Sequence, residues 1–509
     1  MGAGALFLPA PYAWVWAQSE GTLKLLKAPK VALVLGNSKY KEAPLKNPAN
    51  DAKAIGEALK ASGFDVTLMM DGGKAAMAAA VQAYVQKLAA TKSVGLFYYA
   101  GHGIQLAWKN YMLPVDADVD TIGDVQKQAV EVNSLMEGLT KAGNPMNVII
   151  LDACRDNPFG NLKGVDHKGL SQMDAPTHTL LAYATSPGNV ASDGDGANGL
   201  YTENLLRELK VPEAKVEDVF KRVRLGVRVK SKGAQIPWES TSLEEDFWFL
   251  PPKELKKLSD DEKDRRFREE LAQWEKIQAS AAPAPLEEYL HRNPNGQFSE
   301  LAQFQLDRVL AKQGEKKIEI ASAVGNPYTK GSAAADTRYK VGDSYEYREL
   351  DLFSRAEQAK WTQTITQITD SEVIYSNGFV TDLLGNNLRF SDGRRLTPNQ
   401  NYPAEFVIGK RWESRWITAN PRQGDIPNWR EFHIAARENI TVPAGTFNAF
   451  RVDVTGGQIH PKNGPRQIQA KTWFAPDLVR GKVASEATTK GRGGYGQAER
   501  IELLSFKQA

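Results

Sequence analysis

The sequence predicts an α/β sandwich with a mostly parallel sheet, followed by a small helical module and a C-terminal antiparallel β domain. The chain has 509 residues, which is enough for several domains. Short, continuously apolar runs alternate with amphipathic segments over residues 30–252, and a charged helical stretch follows over residues 253–330. Strand-like runs separated by turn residues occupy residues 331–509. Continuous apolar strands are typical of a parallel sheet that helices cover on both faces.

The elements of the first region follow in chain order from their hydrophobic patterns. Strands are predicted at residues 31–36, 64–70, 94–99, 148–151, 179–183 and 247–250, and helices at residues 50–62, 74–89 and 216–230. The pair Pro251-Pro252 ends this region. We therefore expect one sheet with helices on both sides between residues 30 and 252.

The two later regions have different patterns. Residues 253–276 carry both signs of charge at helical neighbour spacing, which predicts a solvated connecting helix. Two further helices are expected over residues 286–311. No second copy of this module is visible, which favours a spacer over a peptide-binding helical repeat. Beyond residue 331, turn signals such as Asp392-Gly393 separate strands of the β domain.

Composition and charge exclude several classes of function. Hydrophobic residues make up 42% and charged residues 25% of the chain, as in soluble folded proteins. The net charge of +3 gives no global sign of nucleic-acid binding. Cys154 is the single cysteine, so an intrachain disulfide and a cysteine-based metal cage are excluded. The histidines show no metal-ligand spacing, so no metal and no cofactor are predicted, and a calcium requirement is left open.

Residues 1–29 contain a weak targeting signal. Residues 5–17 are apolar but too short to span a bilayer, and Val15-Trp16-Ala17 resembles a signal-peptide cleavage site. No Lys or Arg precedes Lys24, so the positive segment of a signal peptide is missing. The sequence favours a periplasmic or secreted protein that begins near Gln18, with a cytoplasmic protein as the alternative.

Candidate catalytic residues follow two of the predicted central strands. One strand leads into the apparent turn Gly101-His102-Gly103, and another leads into Asp152-Ala153-Cys154. The carboxyl ends of parallel strands meet at one edge of a sheet, where ligands bind. An imidazole at His102 is suited to take the thiol proton of Cys154. The N–H groups of Gly103 and Cys154 are suited to stabilise an oxyanion.

These motifs resemble those of the caspase-like cysteine peptidases (peptidase C14 family), specifically the bacterial metacaspase or orthocaspase branch. The histidine lies about 50 residues before the cysteine, as in the caspase signature, and Ala49-Asn50-Asp51-Ala52 is a third matching block. The resemblance covers about residues 30–252. It implies that His102 is the general base, that Cys154 is the nucleophile and that Gly103 contributes to the oxyanion hole.

The resemblance also implies the specificity of the peptidase. Caspases have glutamine where this chain has Asp152, whereas the metacaspase branch has an acid there and a second acid in the first helix, here Asp51. By that resemblance both acids line the S1 pocket for Arg or Lys, because a carboxylate pairs with guanidinium or ammonium. Arg155-Asp156 departs from the His-Ser-Gly that many metacaspases have after the cysteine. We expect an endopeptidase that acts on peptides or proteins with a basic P1 residue.

Other interpretations of the same residues remain open. A lone cysteine at a strand end is often a small buried apolar side chain. Asp51 also fits as an acid in the first turn of a helix, and Asp152 also fits as an acid that binds loop N–H groups. The competing function is a catalytically silent caspase-fold scaffold, or a binding protein of the cell envelope that acts through its β domain.

A glycine-rich segment at residues 194–199 matches a dinucleotide-binding fingerprint in its letters alone. Asp193 and Asp195 would repel a pyrophosphate, and the segment does not follow the first strand of the region. We interpret it as a loop that borders the cleft. The two acids do not form a calcium loop with the usual set of ligands.

Overall fold

The computed structural model of the chain describes residues 13–154, 170–186, 196–255, 258–315, 326–421, 424–491 and 494–508. The chain divides into two compact units. The first comprises residues 1–255 with 318–323, and the second comprises residues 256–317 with 324–509. In the described part of the chain, no helix is both long enough and apolar enough to cross a membrane.

The first unit contains a mostly parallel sheet with helices. Its elements in chain order are α1 (Ala13–Lys27), β1 (Lys30–Gly36), α2 (Pro48–Ala61), β2 (Asp65–Met70), α3 (Lys74–Thr91), β3 (Val94–Leu106), β4 (Lys109–Met112), α4 (Ile122–Gln128), β5 (Val130–Glu131), α5 (Val132–Ala142), β6 (Met146–Cys154), β7 (Thr179–Tyr183), α6 (Leu200–Glu208), α7 (Val216–Ser231) and β8 (Trp238–Thr241). The strand order is β2-β1-β3-β6-β7-β8. All neighbours in this order are parallel except β7 and β8, and β4 and β5 extend the sheet from β3.

The central strand β3 shows why the sheet needs helices on both faces. All of its residues are buried. Successive side chains of a strand point to opposite faces, and Phe97 packs against Tyr84 of α3 with ring centroids 6.4 Å apart. The next residue, Tyr98, instead contacts Thr202 of α6. The predicted α/β sandwich is therefore confirmed.

Two details of the first unit differ from the expectation. Strand β3 continues past Tyr99 to Leu106, so Gly101-His102-Gly103 lies within a strand and not in a turn. The glycines indicated a turn, but pairing with β4 extends the strand. The predicted last strand at residues 247–250 is also wrong, because only Trp248 makes an isolated bridge there. The last strand of the sheet is β8.

The second unit contains three described helices and a closed antiparallel barrel. Its elements are α8 (Asp260–Ile277), α9 (Pro283–Arg292), α10 (Ser299–Lys312), β9 (Ser332–Ala334), β10 (Ser344–Asp351), β11 (Glu357–Ile368), β12 (Glu372–Tyr375), β13 (Val380–Asp382), β14 (Asn387–Arg389), β15 (Arg395–Leu396), β16 (Glu405–Val407), β17 (Arg411–Ala419), β18 (Ile426–Val442), β19 (Gly445–His460), β20 (Gly464–Phe474), β21 (Lys482–Gly491) and β22 (Gly494–Lys507). Strands β10–β15 and β17–β22 form the barrel, and β9 pairs with β16. The predicted antiparallel β domain is confirmed.

Helix α8 is less solvated than its charge pattern predicts. Ser259 and Glu262 form a capping box at its start. Phe267, Leu271 and Trp274 are buried, and the ring of Trp274 stacks on Phe298 with centroids 6.1 Å apart. Three apolar residues among many charged ones therefore give this helix a packed face.

Candidate active site

The predicted catalytic residues lie on two neighbouring strands. His102 of β3 and Cys154 of β6 are register partners in the parallel pairing of these strands, and Ala100 is the partner of Asp152. The backbones of His102 and Cys154 are therefore adjacent at the carboxyl-end edge of the sheet. The Cys154 side chain and the segment 155–169, which includes Arg155-Asp156, lie outside the described residues.

The imidazole of His102 has a defined orientation. Its Nε2 atom lies 2.7 Å from the carbonyl oxygen of Ala43. A carbonyl oxygen only accepts, so this hydrogen bond requires the proton of the neutral ring to be on Nε2. The ring of Tyr40 packs against the imidazole with centroids 4.4 Å apart. The side chain of His102 is 3% exposed, so it is held within the protein.

Two tyrosines also hold the main chain of His102. The hydroxyl of Tyr40 accepts the His102 N–H at 2.9 Å, and the hydroxyl of Tyr99 donates to the His102 carbonyl at 2.6 Å. The N–H of Leu113 donates to the same carbonyl at 3.0 Å. A Cβ atom at Gly101 would lie 2.5 Å from the Tyr40 hydroxyl oxygen and 2.7 Å from that of Tyr99. Glycine is thus required because the two phenols approach the backbone closely.

Gly103 has a similar steric constraint on the other side of His102. It pairs with Met112 of β4. A Cβ atom at Gly103 would lie 2.9 Å from the Cβ atom of Ala153 and 3.0 Å from Cδ2 of Leu170. The absence of a side chain at this position therefore lets β3 approach the residue that precedes Cys154.

Asp152 contacts a pair of hydroxyl groups. Its Oδ2 atom accepts from the Thr202 hydroxyl at 2.6 Å and from the Tyr98 hydroxyl at 3.3 Å. The two hydroxyl oxygens lie 2.6 Å apart. Burial raises the pKa of Tyr98 well above its usual value, and the charges of Asp152 and Asp51 raise it further. The Tyr98 phenol therefore stays protonated and able to donate near this carboxylate.

Asp51 lies in the first turn of α2 and is 3% exposed. Its Oδ1 atom accepts from the Asn198 side-chain amide at 2.8 Å and from the Gly199 N–H at 3.0 Å. Gly199 is the N-cap residue of α6. A Cβ atom at Gly36 would lie 2.4 Å from the Pro48 carbonyl oxygen, so the start of α2 packs closely on the end of β1.

The two acids converge on the start of α6. Asp51 binds residues 198 and 199, and Asp152 binds Thr202 three positions later. The partial positive charge of a helix N-terminus stabilises nearby carboxylates. Tyr98 also contacts Thr202 of this helix, and the charges of both acids raise the pKa of Tyr98.

The structure tests the glycine-rich segment at residues 194–199 and the predicted absence of a metal site only in part. Asp193, Gly194 and Asp195 lie outside the described residues. In the ranges of the chain that the structure describes, no cluster of His, Cys, Asp and Glu has the arrangement of a metal site.

Sequence reasoning missed several residues of this region. Tyr40, Tyr99 and Thr202 contact the predicted site residues, but none belongs to a recognised motif. Tyr98-Tyr99 is separated from the Gly-His-Gly motif by Ala100 alone, and this proximity is the one signal that pointed to aromatic hydroxyl groups here. Thr202 lies far from Asp152 in the sequence, so no local pattern connects the two.

Comparisons with known proteins concern the first unit. Residues 29–248 match the Peptidase_C14 family, described as "Caspase domain". The chain is similar to the mucosa-associated lymphoid tissue lymphoma translocation protein 1 of Homo sapiens, with 28% identity over 204 residues, 38% of this chain and 24% of that protein. The Mus musculus homolog of that protein is 29% identical over 202 residues, 38% of this chain and 23% of that protein. The match thus spans about a quarter of these relatives.

Proposed function

We propose that residues 29–248, which are a caspase domain of the peptidase C14 family, act as a cysteine endopeptidase that cleaves after Arg or Lys. The family match confirms the caspase-like resemblance, and the metacaspase branch stays a prediction. The observation that best supports the proposal is the register of β3 and β6, which aligns the backbone of His102 with that of Cys154. Acyl transfer requires a base close to the nucleophile, and neighbouring positions on adjacent strands are suited to this arrangement.

In the first chemical step, His102 acts as the general base. Its Nε2–H donates to the Ala43 carbonyl, which leaves Nδ1 as the nitrogen that takes the thiol proton of Cys154. The sulfur then attacks the carbonyl carbon of the substrate, a C–S bond forms, and the C=O electron pair moves to the oxygen. The N–H groups of Gly103 and Cys154 stabilise the resulting oxyanion.

In the second step, the C–N bond of the substrate breaks. The leaving amine takes the proton from His102, and the acyl group remains on Cys154 as a thioester. Water then attacks the thioester while His102 accepts a proton from it. Collapse of this second tetrahedral intermediate releases the carboxylate product and returns the proton to the thiol, so the site is regenerated.

The acids Asp51 and Asp152 form the proposed S1 pocket. Their hydrogen bonds to the first turn of α6 support a common location for the two carboxylates. A guanidinium group offers several donors in a plane and therefore engages two acceptors at once, which favours Arg over Lys. An acidic P1 side chain would bring a third negative charge to the pocket and is expected to be rejected.

The full-length protein and its Cys154→Ala variant test this function with peptide reporters that carry Arg, Lys, Asp or Leu at P1. We expect turnover of the Arg and Lys reporters by the native chain only. Because Cys154 is the single cysteine, a thiol-directed probe reports on this residue alone. Equal turnover by the Ala variant would contradict the proposal.

The same assay tests the catalytically silent scaffold that the sequence left open. A silent caspase fold predicts no turnover of any reporter and no labelling of Cys154 by a peptidyl-Arg electrophile, although the protein is folded. An active enzyme predicts that the electrophile labels Cys154 in the native chain and that this labelling is lost in His102→Ala.

A further inference from the structure

The barrel of the second unit contains a cavity of about 600 Å³, which is within the size range of small-molecule sites. Aromatic side chains form much of its wall, among them Tyr345, Tyr347, Trp361 and Tyr375. Ser391, which also lines the cavity, is an exposed residue. The cavity is therefore aromatic inside and reaches the surface of the unit.

Strands β10 and β11 supply one wall of this cavity. Tyr347 is the register partner of Trp361, and Glu349 is the partner of Ala359 one step further along the same face. All four residues line the cavity. The rings of Tyr347 and Trp361 stack with centroids 5.8 Å apart. A carboxylate thus lies next to a stacked aromatic pair.

Charged groups lie beside the aromatic pair. The Tyr347 hydroxyl donates to the Lys482 carbonyl at 3.1 Å, which places the start of β21 beside the aromatic pair. Burial lowers the pKa of Lys482, and the negative charges of Glu499 and Glu349 oppose this effect. Both carboxylates therefore lie near the Lys482 ammonium group, and of these three residues Glu349 and Lys482 line the cavity.

Glu349 is the acid that remains available to a ligand. Among the described residues, the Glu349 carboxylate has no hydrogen bond and no ion pair within 4 Å, although it acts on Lys482 at longer range. Glu499, by contrast, accepts from Gln497 at 2.7 Å. The neighbouring charged group on the wall, Arg480, is already paired with Asp336 at 2.9 Å and with Asp343 at 2.6 Å.

We propose that this cavity binds an organic cation, in which an ammonium or guanidinium group on an apolar body lies between Glu349 and the rings of Tyr347 and Trp361. Aromatic faces attract cations, and the attraction is strongest where water is excluded. An anion would be repelled by Glu349, and an uncharged ligand would leave this carboxylate without a close partner. This site is independent of the peptidase function proposed for the first unit.

Calorimetric titration of the full-length protein with two charged probes and their uncharged counterparts tests the proposal. Choline is compared with 3,3-dimethylbutan-1-ol, which has the same shape without the charge, and N-acetylarginine amide is compared with N-acetylcitrulline amide. The first pair represents a free small cation and the second represents a basic side chain of a peptide. We expect at least one cation to bind ten-fold or more tightly than its counterpart.

Variants assign the binding to the cavity. Glu349→Gln is expected to weaken cation binding ten-fold or more. The matched control is Glu346→Gln on the same strand, because the Glu346 carboxylate is paired with Lys360 at 2.9 Å and does not line the cavity. An Asp152→Asn background removes the proposed S1 pocket as a second site for the arginine probe.

Several results would overturn the proposal. They are equal binding of charged and uncharged probes, no binding of either cation at millimolar concentration, or equal losses in the Glu349 and Glu346 variants. The comparison of probes uses the unaltered protein, so it remains decisive if Glu349→Gln does not fold. A failure of the peptidase assay would not affect this outcome.

Discussion

The ring of Tyr40 packs on the imidazole of His102 with centroids 4.4 Å apart, and the hydroxyl of the same tyrosine accepts the His102 N–H at 2.9 Å. One side chain therefore constrains both the ring and the backbone of the proposed general base. The Tyr40 hydroxyl also donates to the Leu113 carbonyl at 3.2 Å, which fixes the phenol in turn. We infer that Tyr40 is a positioning residue for the imidazole.

Replacing Tyr40 by Phe keeps the ring packing but removes the acceptor for the His102 N–H. A buried N–H without a partner costs about 1–3 kcal/mol, and we expect kcat to fall about ten-fold while KM changes little. Steady-state kinetics with an Arg reporter measure kcat and KM separately, and the pH profile of kcat/KM reports on the imidazole. Tyr84→Phe is the matched control, because the buried Tyr84 hydroxyl has no hydrogen-bond partner among the described residues. Equal kinetics for the two variants would contradict the positioning role.

A methyl group at position 101 tests how closely the tyrosines surround the backbone. In Gly101→Ala the new Cβ atom would lie 2.5 Å from the Tyr40 hydroxyl oxygen, so the phenols must move. Overpacking of this kind typically costs about 1–3 kcal/mol of unfolding free energy, and we expect activity to fall with it. Thermal unfolding and reporter turnover measure the two effects. Gly123→Ala on α4 is the control, because the nearest atom to its new Cβ would be 3.6 Å away. A Gly101 variant as stable and active as the control would contradict this explanation.

Much of the first unit could be predicted from sequence because its strands are continuously apolar. The strand at Thr179–Tyr183 has the predicted bounds, and all five of its residues are buried. Strand β8 is not predicted from the sequence because its residues Trp238-Glu239-Ser240-Thr241 are largely polar. It is an edge strand, which pairs only with β7. The apolar residues 247–250 suggested a strand instead, but Phe247 and Phe249 are buried in the core without forming a sheet strand.

The candidate site was predictable only where its residues follow strands in recognisable motifs. Parallel pairing brings His102 and Cys154 to the same edge, as their positions after apolar runs suggested. The contacts of Tyr40 and Thr202 could not be predicted in this way, because they depend on how the loop after β1 and the start of α6 pack against that edge. Such contacts depend on tertiary packing and leave no periodic signal in the sequence.

The barrel contains an acid whose titration should affect stability. Burial raises the pKa of Asp382 to about 6, although hydrogen bonds from Asn386 and Leu384 oppose the shift. The unfolded residue titrates near 3.9, so the folded protein binds this proton more tightly. The stabilisation from this bound proton is complete below about pH 4 and is lost as the pH rises through about 6. The free energy of unfolding changes by about 3 kcal/mol over this range.

Asp382→Asn removes this titration. Thermal unfolding of the full-length protein between pH 4 and pH 7 should show a stability difference between native chain and variant that changes with pH in the stated direction. The exposed Asp370→Asn is a suitable control, since its carboxylate is largely solvated. A difference that stays constant across this range would exclude the raised pKa.

The S1 assignment predicts that both acids matter for a basic P1 residue. Truncating one partner of a buried charge-assisted pair typically costs about 2–5 kcal/mol, so Asp152→Ala or Asp51→Ala should lower kcat/KM for an Arg reporter by roughly one to three decades. The loss for a Lys reporter is expected to be smaller, because ammonium does not use two carboxylates in a planar geometry. Kinetics with both reporters measure the difference.

Asp51 also accepts hydrogen bonds from Asn198 and Gly199 at the start of α6. A lower activity of Asp51→Ala therefore has a second explanation, which is displacement of this helix. Asn198→Ala separates the two effects, because it removes one donor to Asp51 and leaves both acids in place. We expect this variant to keep its preference for Arg, whereas Asp51→Ala loses it. Glu203→Gln, on the exposed side of α6 and paired with Lys230 at 2.7 Å, controls for charge near the helix. If Asn198→Ala and Asp51→Ala lose the same activity, or if either acid variant cleaves the Arg reporter normally, the two carboxylates do not form the S1 pocket.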